Sequence, residues 1–181
     1  MNRSRLSKCT VALLICLLLG WWLFRMPPIP SHRGDGLFED LSRRMGIFPM
    51  RGYRISMPEF DMARQFEAEY QLAGLSDIGC EAVLYLGIHD APEDEFHLPS
   101  GNGKVRLELV DSRGRARVNV SGRLDWYTCM VTTHLLALYM LPGSRFTPEP
   151  KEEYRLHLSY SPDPNLAGYK GFAYIQCGGR K

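Results

Sequence analysis

Residues 9–24 form an apolar run without a charged residue, and this run limits what the chain can fold into more than any other feature. An α-helix over these residues rises about 24 Å, against a hydrocarbon core of about 30 Å. Lys8 and Arg25 border the run and can extend toward lipid headgroups, and Trp21 and Trp22 stand where interfacial aromatic residues are expected. Three basic residues precede the run and one follows it, which predicts a cytoplasmic N-terminus. We therefore expect a single transmembrane helix that acts as a signal anchor.

Two other fates of the N-terminus fit the residues less well. A cleaved signal peptide needs small residues just before the cut, whereas the apolar run is followed by Trp-Trp-Leu-Phe-Arg-Met-Pro-Pro. A bacterial lipoprotein would place its modified cysteine after a small residue, whereas Cys16 follows two leucines and an isoleucine. Cleavage and lipidation remain open as alternatives to the anchor.

The chain is expected to divide into four parts. They are a cytoplasmic basic tail over residues 1–8, a transmembrane signal anchor over 9–26, a Pro-rich spacer with a short juxtamembrane helix over 27–50, and an exported domain over 51–181. The helix is predicted over residues 37–46, where Phe38, Leu41 and Met45 have helical spacing.

From residue 51 onward apolar and polar residues alternate, which is the period of a half-buried strand. Strands are predicted over residues 66–72, 80–88, 154–160 and 171–177, a hairpin over 104–120 with its turn at 111–114, and an ambiguous apolar stretch over 128–141. Strands do not alternate with helices, which disfavours a parallel sheet. The fold class is therefore all-β: an antiparallel β-sandwich of roughly seven or eight strands behind the transmembrane helix.

Three cysteines lie in the predicted exported domain, namely Cys80, Cys129 and Cys177. Outside the cytoplasm two of them are expected to pair. Cys80 and Cys177 each flank a predicted strand next to a glycine, so this pair is the predicted disulfide. Three buried, reduced thiols are the alternative.

The densest polar segment covers residues 89–97. Its carboxylates and imidazoles could hold Ca²⁺ or Zn²⁺, with His89, Asp90, Glu93 and His97 as candidate ligands. The spacing does not match an EF-hand loop, and an acidic, solvated connection explains the same residues. No cofactor is therefore expected, and a Ca²⁺ or Zn²⁺ site remains the alternative.

Aromatic residues near predicted turns form a second candidate surface, for binding protein or carbohydrate. The candidates are Trp126, Tyr127, Phe146, Tyr169 and Phe172. The same residues could instead close the open ends of the two sheets.

Catalytic motifs are weak in this sequence. There is no Gly-x-Ser-x-Gly motif, and Cys129 and His134 would point to opposite faces of a strand. His157 alternates with leucines and is expected to face solvent. An enzyme is therefore the less favoured class.

The charge balance argues against nucleic-acid binding. Of the 22 Lys and Arg residues, four lie in residues 1–26, which leaves 18 basic against 20 acidic residues in the remainder. Nucleic-acid binding would require clustered positive charge there.

These observations predict a single-pass protein of the bacterial inner membrane, with its N-terminus cytoplasmic and its C-terminal domain periplasmic. The leading expectation is a non-catalytic envelope protein that binds another protein, one version being an immunity protein against a periplasmic toxin. The alternatives are a small envelope metal-binding protein or enzyme using residues 89–97, and a structural subunit of an envelope complex.

Overall fold

The computed structural model describes residues 11, 13–18, 20, 29–45, 48–89, 103–123 and 137–178. Of the predicted anchor, residues 11, 13–18 and 20 are helical, and the rest of residues 9–26 lies outside the described residues. Within the described part of the chain, no helix has both the length and the apolar character needed to cross a bilayer.

The described residues after the helical segment are mostly β-strand. The strands are β1 (Arg33–Gly34), β2 (Leu37–Asp40), β3 (Arg43–Met45), β4 (Phe48–Met50), β5 (Gly52–Ser56), β6 (Phe60–Asp61), β7 (Phe66–Ala73), β8 (Ala82–His89), β9 (Lys104–Asp111), β10 (Ala116–Arg123), β11 (Ala137–Phe146), β12 (Glu153–Ser161) and β13 (Lys170–Gly178). A short 3₁₀ helix, Pro164–Leu166, lies between β12 and β13.

The long strands form two antiparallel sheets. Sheet 1 has the order β1-β7-β12-β9-β10, and sheet 2 has the order β11-β8-β13-β5-β2, with β6 beside β13. β3 and β4 pair separately. The predicted strands over 66–72, 80–88, 154–160 and 171–177 and the predicted hairpin over 104–120 are confirmed, as is the all-β, antiparallel, two-sheet class.

The core lies between the two sheets and follows from the period of two. In β12, Tyr154, Leu156, Leu158 and Tyr160 are buried, and the residues between them are exposed or half-buried. Sheet 2 contributes fully buried side chains from three strands, which are Tyr53, Ile55, Leu84, Leu86, Ile88 and Ile175. Because alternate residues of a strand share a face, one face of each sheet enters the core and the other faces outward.

The helix predicted over residues 37–46 is wrong, because these residues form β2 and β3. β2 pairs with β5, which sets Phe38 opposite Ile55. The Phe38 ring stacks on Tyr53 with centroids 5.7 Å apart, whereas Leu37 is 75% exposed. Tertiary pairing with β5 therefore overrides the helical spacing of three apolar residues.

Residues 33–40 cross from sheet 1 to sheet 2, so part of the predicted spacer over 27–50 belongs to the fold. Gly34 has φ +115°, and a Cβ there would overlap the backbone carbonyl of Gln71. The Asp35 backbone N–H donates to the Gln71 carbonyl (2.8 Å), and its carboxylate accepts from the Gln71 N–H (2.7 Å). Ile29 is only 4% exposed and joins the core.

The register gives the sandwich two distinct ends. At the entry end, the Ile29 N–H donates to Oδ2 of Asp40 (3.2 Å), at the end of β2. At the far end, Lys170 pairs with His89, and Lys104 pairs with both Arg123 and Ser161. The strand ends at His89, Lys104, Arg123 and Ala137 therefore lie opposite the point where the chain enters the sandwich.

Candidate functional site

A polar groove lies on the outward face of sheet 1. It has a volume of about 340 Å³. The residues that line it come from β7, β9, β12 and the β9–β10 turn and are Glu67, Arg106, Glu108, Val110, Gly114, Arg155, His157, Leu158 and Ser159. Most of them occupy the outward positions of their strands, where the alternation places polar side chains.

Two polar contacts, one across the strands and one along a strand, organise the middle of the groove. His157 lies opposite Glu69 on one side and Glu108 on the other. Its Nε2 is 3.1 Å from Oε2 of Glu69, and Nη2 of Arg106 is 2.9 Å from Oε2 of Glu108. His157 is half-exposed, in agreement with the sequence expectation that it faces solvent.

Opposite charges stand at the two ends of the groove. Arg155 and Ser159 are four residues apart on β12, about 13 Å at the rise of a strand, and Glu67 lies opposite Ser159. Both Arg155 and Glu67 are exposed. Within the described residues neither side chain has a hydrogen-bond or ion-pair partner. Among the described residues, the groove therefore has a cation and an anion that no other side chain engages.

The groove carries hydroxyl, imidazole and carboxylate side chains near one another. Ser159 and His157 share a face, and Glu69 pairs with His157, which brings together the residue types of a serine nucleophile, base and orienting acid. The described residues contain no hydrogen bond between the Ser159 hydroxyl and His157, however. A serine nucleophile is activated by a base within hydrogen-bond reach, and the described side chains do not form that contact here.

The structure brings the predicted disulfide pair together at the entry end. The Sγ atoms of Cys80 and Cys177 are 3.6 Å apart, and Cys177 Sγ donates to the Cys80 carbonyl (3.2 Å). Both are free thiols in this structure, so the disulfide stays a prediction. Burial, and then the neighbouring Cys80, raises the pKa of the Cys177 thiol to about 12, and burial also raises the pKa of Tyr53 beside it. Cys129 lies outside the described residues.

A buried carboxylate that the sequence reasoning missed organises the β9–β10 turn. Asp111 is 1% exposed, and its Oδ1 accepts from the backbone N–H groups of Arg113 (3.0 Å) and Arg115 (2.9 Å). Its Oδ2 accepts from Nε of Arg115 (2.8 Å) and Nε of Arg117 (3.0 Å). Burial opposes ionisation of Asp111, but these hydrogen bonds outweigh it and lower the pKa to about 2. Asp111 occupies the next inward-facing position of β9 after Leu107 and Leu109. The alternation of inward and outward residues along this strand could therefore have indicated that Asp111 is buried.

The candidate metal ligands are not brought together by the described residues. His89 ends β8, although its side chain is not among the described ones, and Asp90, Glu93 and His97 lie outside the described residues. In the described ranges there is no group of three His, Cys, Asp or Glu side chains placed to hold a metal ion. The site over 89–97 stays a prediction.

The candidate aromatic surface must be corrected at two of its five residues. Phe146 is 6% exposed and packs edge-on against Tyr154, and Phe172 is 2% exposed. Phe146 belongs to the core between the sheets, and Phe172 packs with Tyr174 and Tyr85 in a separate small cluster. Tyr169 is half-buried against the core, and Trp126 and Tyr127 lie outside the described residues.

The fold and these sites define an antiparallel, two-sheet β-domain with a charged groove on one outward face. No family model matches the chain, and the comparison with curated proteins also finds no match.

Proposed function

We propose that this chain is a membrane-anchored, non-catalytic envelope protein whose exported β-sandwich binds another protein through the groove of sheet 1. The observation that carries the proposal is a pair of exposed charges at opposite ends of the groove, Arg155 and Glu67, which no other described side chain engages. Paired charges on a strand surface contribute little to folding, and unpaired ones contribute less. Charges of opposite sign at fixed positions do, however, orient and select a complementary partner.

The anchor rests on the apolar run over residues 9–24 and on the basic residues before it. In the sandwich, Ile29 marks the entry end, which would face the membrane. The groove lies on the broad outward face of sheet 1 and is therefore accessible to a partner beside the anchored domain.

The occupant that fits is a protein segment with an acidic side chain for Arg155 and a basic side chain for Glu67. In an extended segment these two side chains would be about four residues apart. A toxin that enters the periplasm would be one such partner, and the chain would then act as its immunity protein.

The test is to capture partners of the full-length protein from cells that make it, with charge reversals in the groove. The groove variants are Arg155→Glu and Glu67→Lys. The matched controls are Arg64→Glu and Glu81→Lys, which reverse exposed charges outside the groove. All four are first checked for unchanged thermal unfolding.

We expect one stoichiometric partner with the wild type and both controls, and at least a tenfold weaker capture with each groove variant, since a charge that lacks its partner costs more than about 1.4 kcal/mol at an interface. Equal capture by all the variants would overturn the groove as the binding surface. Capture of no partner from any of them would overturn the binding function itself.

A further inference from the structure

The loop over residues 74–81 joins β7 of sheet 1 to β8 of sheet 2 at the entry end. Leu75 is 1% exposed, and Ile78 packs against the core. Asp77 accepts a hydrogen bond from the Gly79 N–H (2.8 Å), and Gly79 has φ +79°. The packing of Leu75 and Ile78 and the turn at Gly79 fix the conformation of the loop, which places Cys80 beside β13.

Of the two cysteines, Cys177 has the more fixed position, because it lies in a strand that is paired on both sides. It lies in β13, opposite Ala82 of β8 and Tyr53 of β5, and is fully buried. Because its strand has neighbours on both sides, its thiol cannot move far. Cys80, in contrast, is half-buried and lies in a loop. Only 3.6 Å separates the two Sγ atoms, so a small adjustment of the loop suffices to join them.

We infer that Cys80 and Cys177 form a disulfide in the exported protein by exchange with an oxidised dithiol donor, and that Cys80 reacts first and Cys177 completes the bond. The inference rests on the export that the proposed function includes, but not on the binding surface, because the thiol pair lies at the entry end and the groove lies on the outward face of sheet 1.

In the first step, the Cys80 thiolate attacks one sulfur of the donor disulfide. The donor S–S bond breaks, one donor thiolate leaves and takes up a proton, and Cys80 holds the other donor sulfur in a mixed disulfide. In the second step, Cys177 gives up its proton to solvent and attacks Cys80 Sγ, and the second donor thiolate leaves. The chain loses two protons and two electrons, and the donor gains them.

The order of the two steps follows from exposure. A donor can reach the half-buried Cys80, whereas Cys177 is enclosed by β5, β8 and the loop. Burial raises the pKa of the Cys177 thiol to about 12, so its thiolate is scarce at neutral pH. Thiolate is the reactive form, which makes Cys177 slow toward an external donor but able to attack a sulfur that is already beside it.

The bond would join residues 97 positions apart in the sequence. It would fix the loop over 74–81 to sheet 2. It would also reduce the conformational entropy of the unfolded chain, and this stabilising effect grows with the number of residues between the two cysteines. The full-length protein would therefore melt at a higher temperature when oxidised.

The experiment treats the reduced full-length protein in detergent with oxidised glutathione and identifies the products by intact mass and peptide mapping. The variants are Cys80→Ser and Cys177→Ser, and Cys129→Ser is the matched control. We expect the wild type and the control to yield a cross-linked peptide containing Cys80 and Cys177, with a higher melting temperature. Cys177→Ser should accumulate glutathione on Cys80, and Cys80→Ser should leave Cys177 unmodified.

Two results would overturn the inference. A cross-link of either cysteine to Cys129 in the wild type would refute the pairing. Glutathione on Cys177 in Cys80→Ser, at the rate seen on Cys80 in Cys177→Ser, would refute the order. Should a serine variant unfold, Cys→Ala variants at the same positions and alkylation of the wild type in intact cells give the same distinction.

Discussion

The ring of Phe172 in β13 lies directly over Gly87 in the neighbouring β8. A Cβ at Gly87 would overlap the ring, and would come within 2.8 Å of its Cε2 atom. Phe172, Tyr174 and the half-buried Tyr85 form a small apolar cluster apart from the main core. Gly87 therefore leaves the space that the Phe172 ring fills.

Gly87→Ala should lower the free energy of unfolding by about 1–3 kcal/mol, because the ring must leave its position. Gly122→Ala is the matched control, since a Cβ there meets Leu141 at an ordinary 3.5 Å. Urea unfolding of the two variants measures the difference. Equal stability of the two would contradict the close contact between Phe172 and Gly87.

Asp111→Asn should destabilise the domain at neutral pH, since it removes the charge that Arg115 and Arg117 approach. The pKa of Asp111 in the folded chain is lowered from its ordinary value of 3.8 to about 2. The ionised carboxylate therefore stabilises the fold fully above about pH 4, and this contribution is lost as the pH falls through 2.

The melting temperatures of wild type and Asp111→Asn should accordingly differ most above pH 4 and converge toward pH 2. Glu153→Gln, an exposed acid at the start of β12, is the control and should show little difference at any pH. A gap between wild type and Asp111→Asn that stays constant from pH 6 to pH 2 would rule out a lowered pKa for Asp111.

Phe38→Ala should cost about 1–3 kcal/mol of unfolding free energy, because the Phe38 ring stacks on the buried Tyr53. Leu37→Ala should cost less than about 0.5 kcal/mol, because Leu37 is 75% exposed. Chemical denaturation of both variants tests the packing of Phe38 on Tyr53. Equal losses at the two positions would contradict that contact.

Arg155→Glu and Glu67→Lys should each change the free energy of unfolding by less than about 0.5 kcal/mol, since both side chains are exposed and unpartnered among the described residues. The measurement is thermal and urea unfolding of the full-length protein. A loss above about 1 kcal/mol would mean that these charges serve the fold and would remove the reason to assign them to a partner.

The strands that could be predicted are those where apolar and polar residues alternate over many positions and the pattern fits a strand but not a helix. Tyr154, Leu156 and Leu158 are separated by charged or polar residues, and a helix would spread them around its surface. β2 was missed because Phe38, Leu41 and Met45 satisfy a helical period as well, and only pairing with β5 decides between the two. Local sequence carries no record of that pairing, since residues 37–40 and 53–56 are distant along the chain.

The candidate sites were harder to predict than the strands. The Cys80–Cys177 pairing could be chosen because both cysteines flank strands next to glycine. The groove could not, because it depends on the order of β7, β12 and β9 within sheet 1, which sets Glu67 and Arg106 on either side of Ser159. Phe146 and Phe172 looked like surface aromatics because they lie near turns, although both are buried on strands of sheet 2.

Site-specific photo-crosslinking in living cells tests the central claim most directly. A photoreactive residue is placed at Ser159 in the groove or, as a control, at Asn165 in the exposed 3₁₀ segment of the far end. The account predicts one adduct with a single envelope protein from position 159 and none from position 165. An adduct from position 165 alone, or from neither position, would contradict binding through the groove of sheet 1.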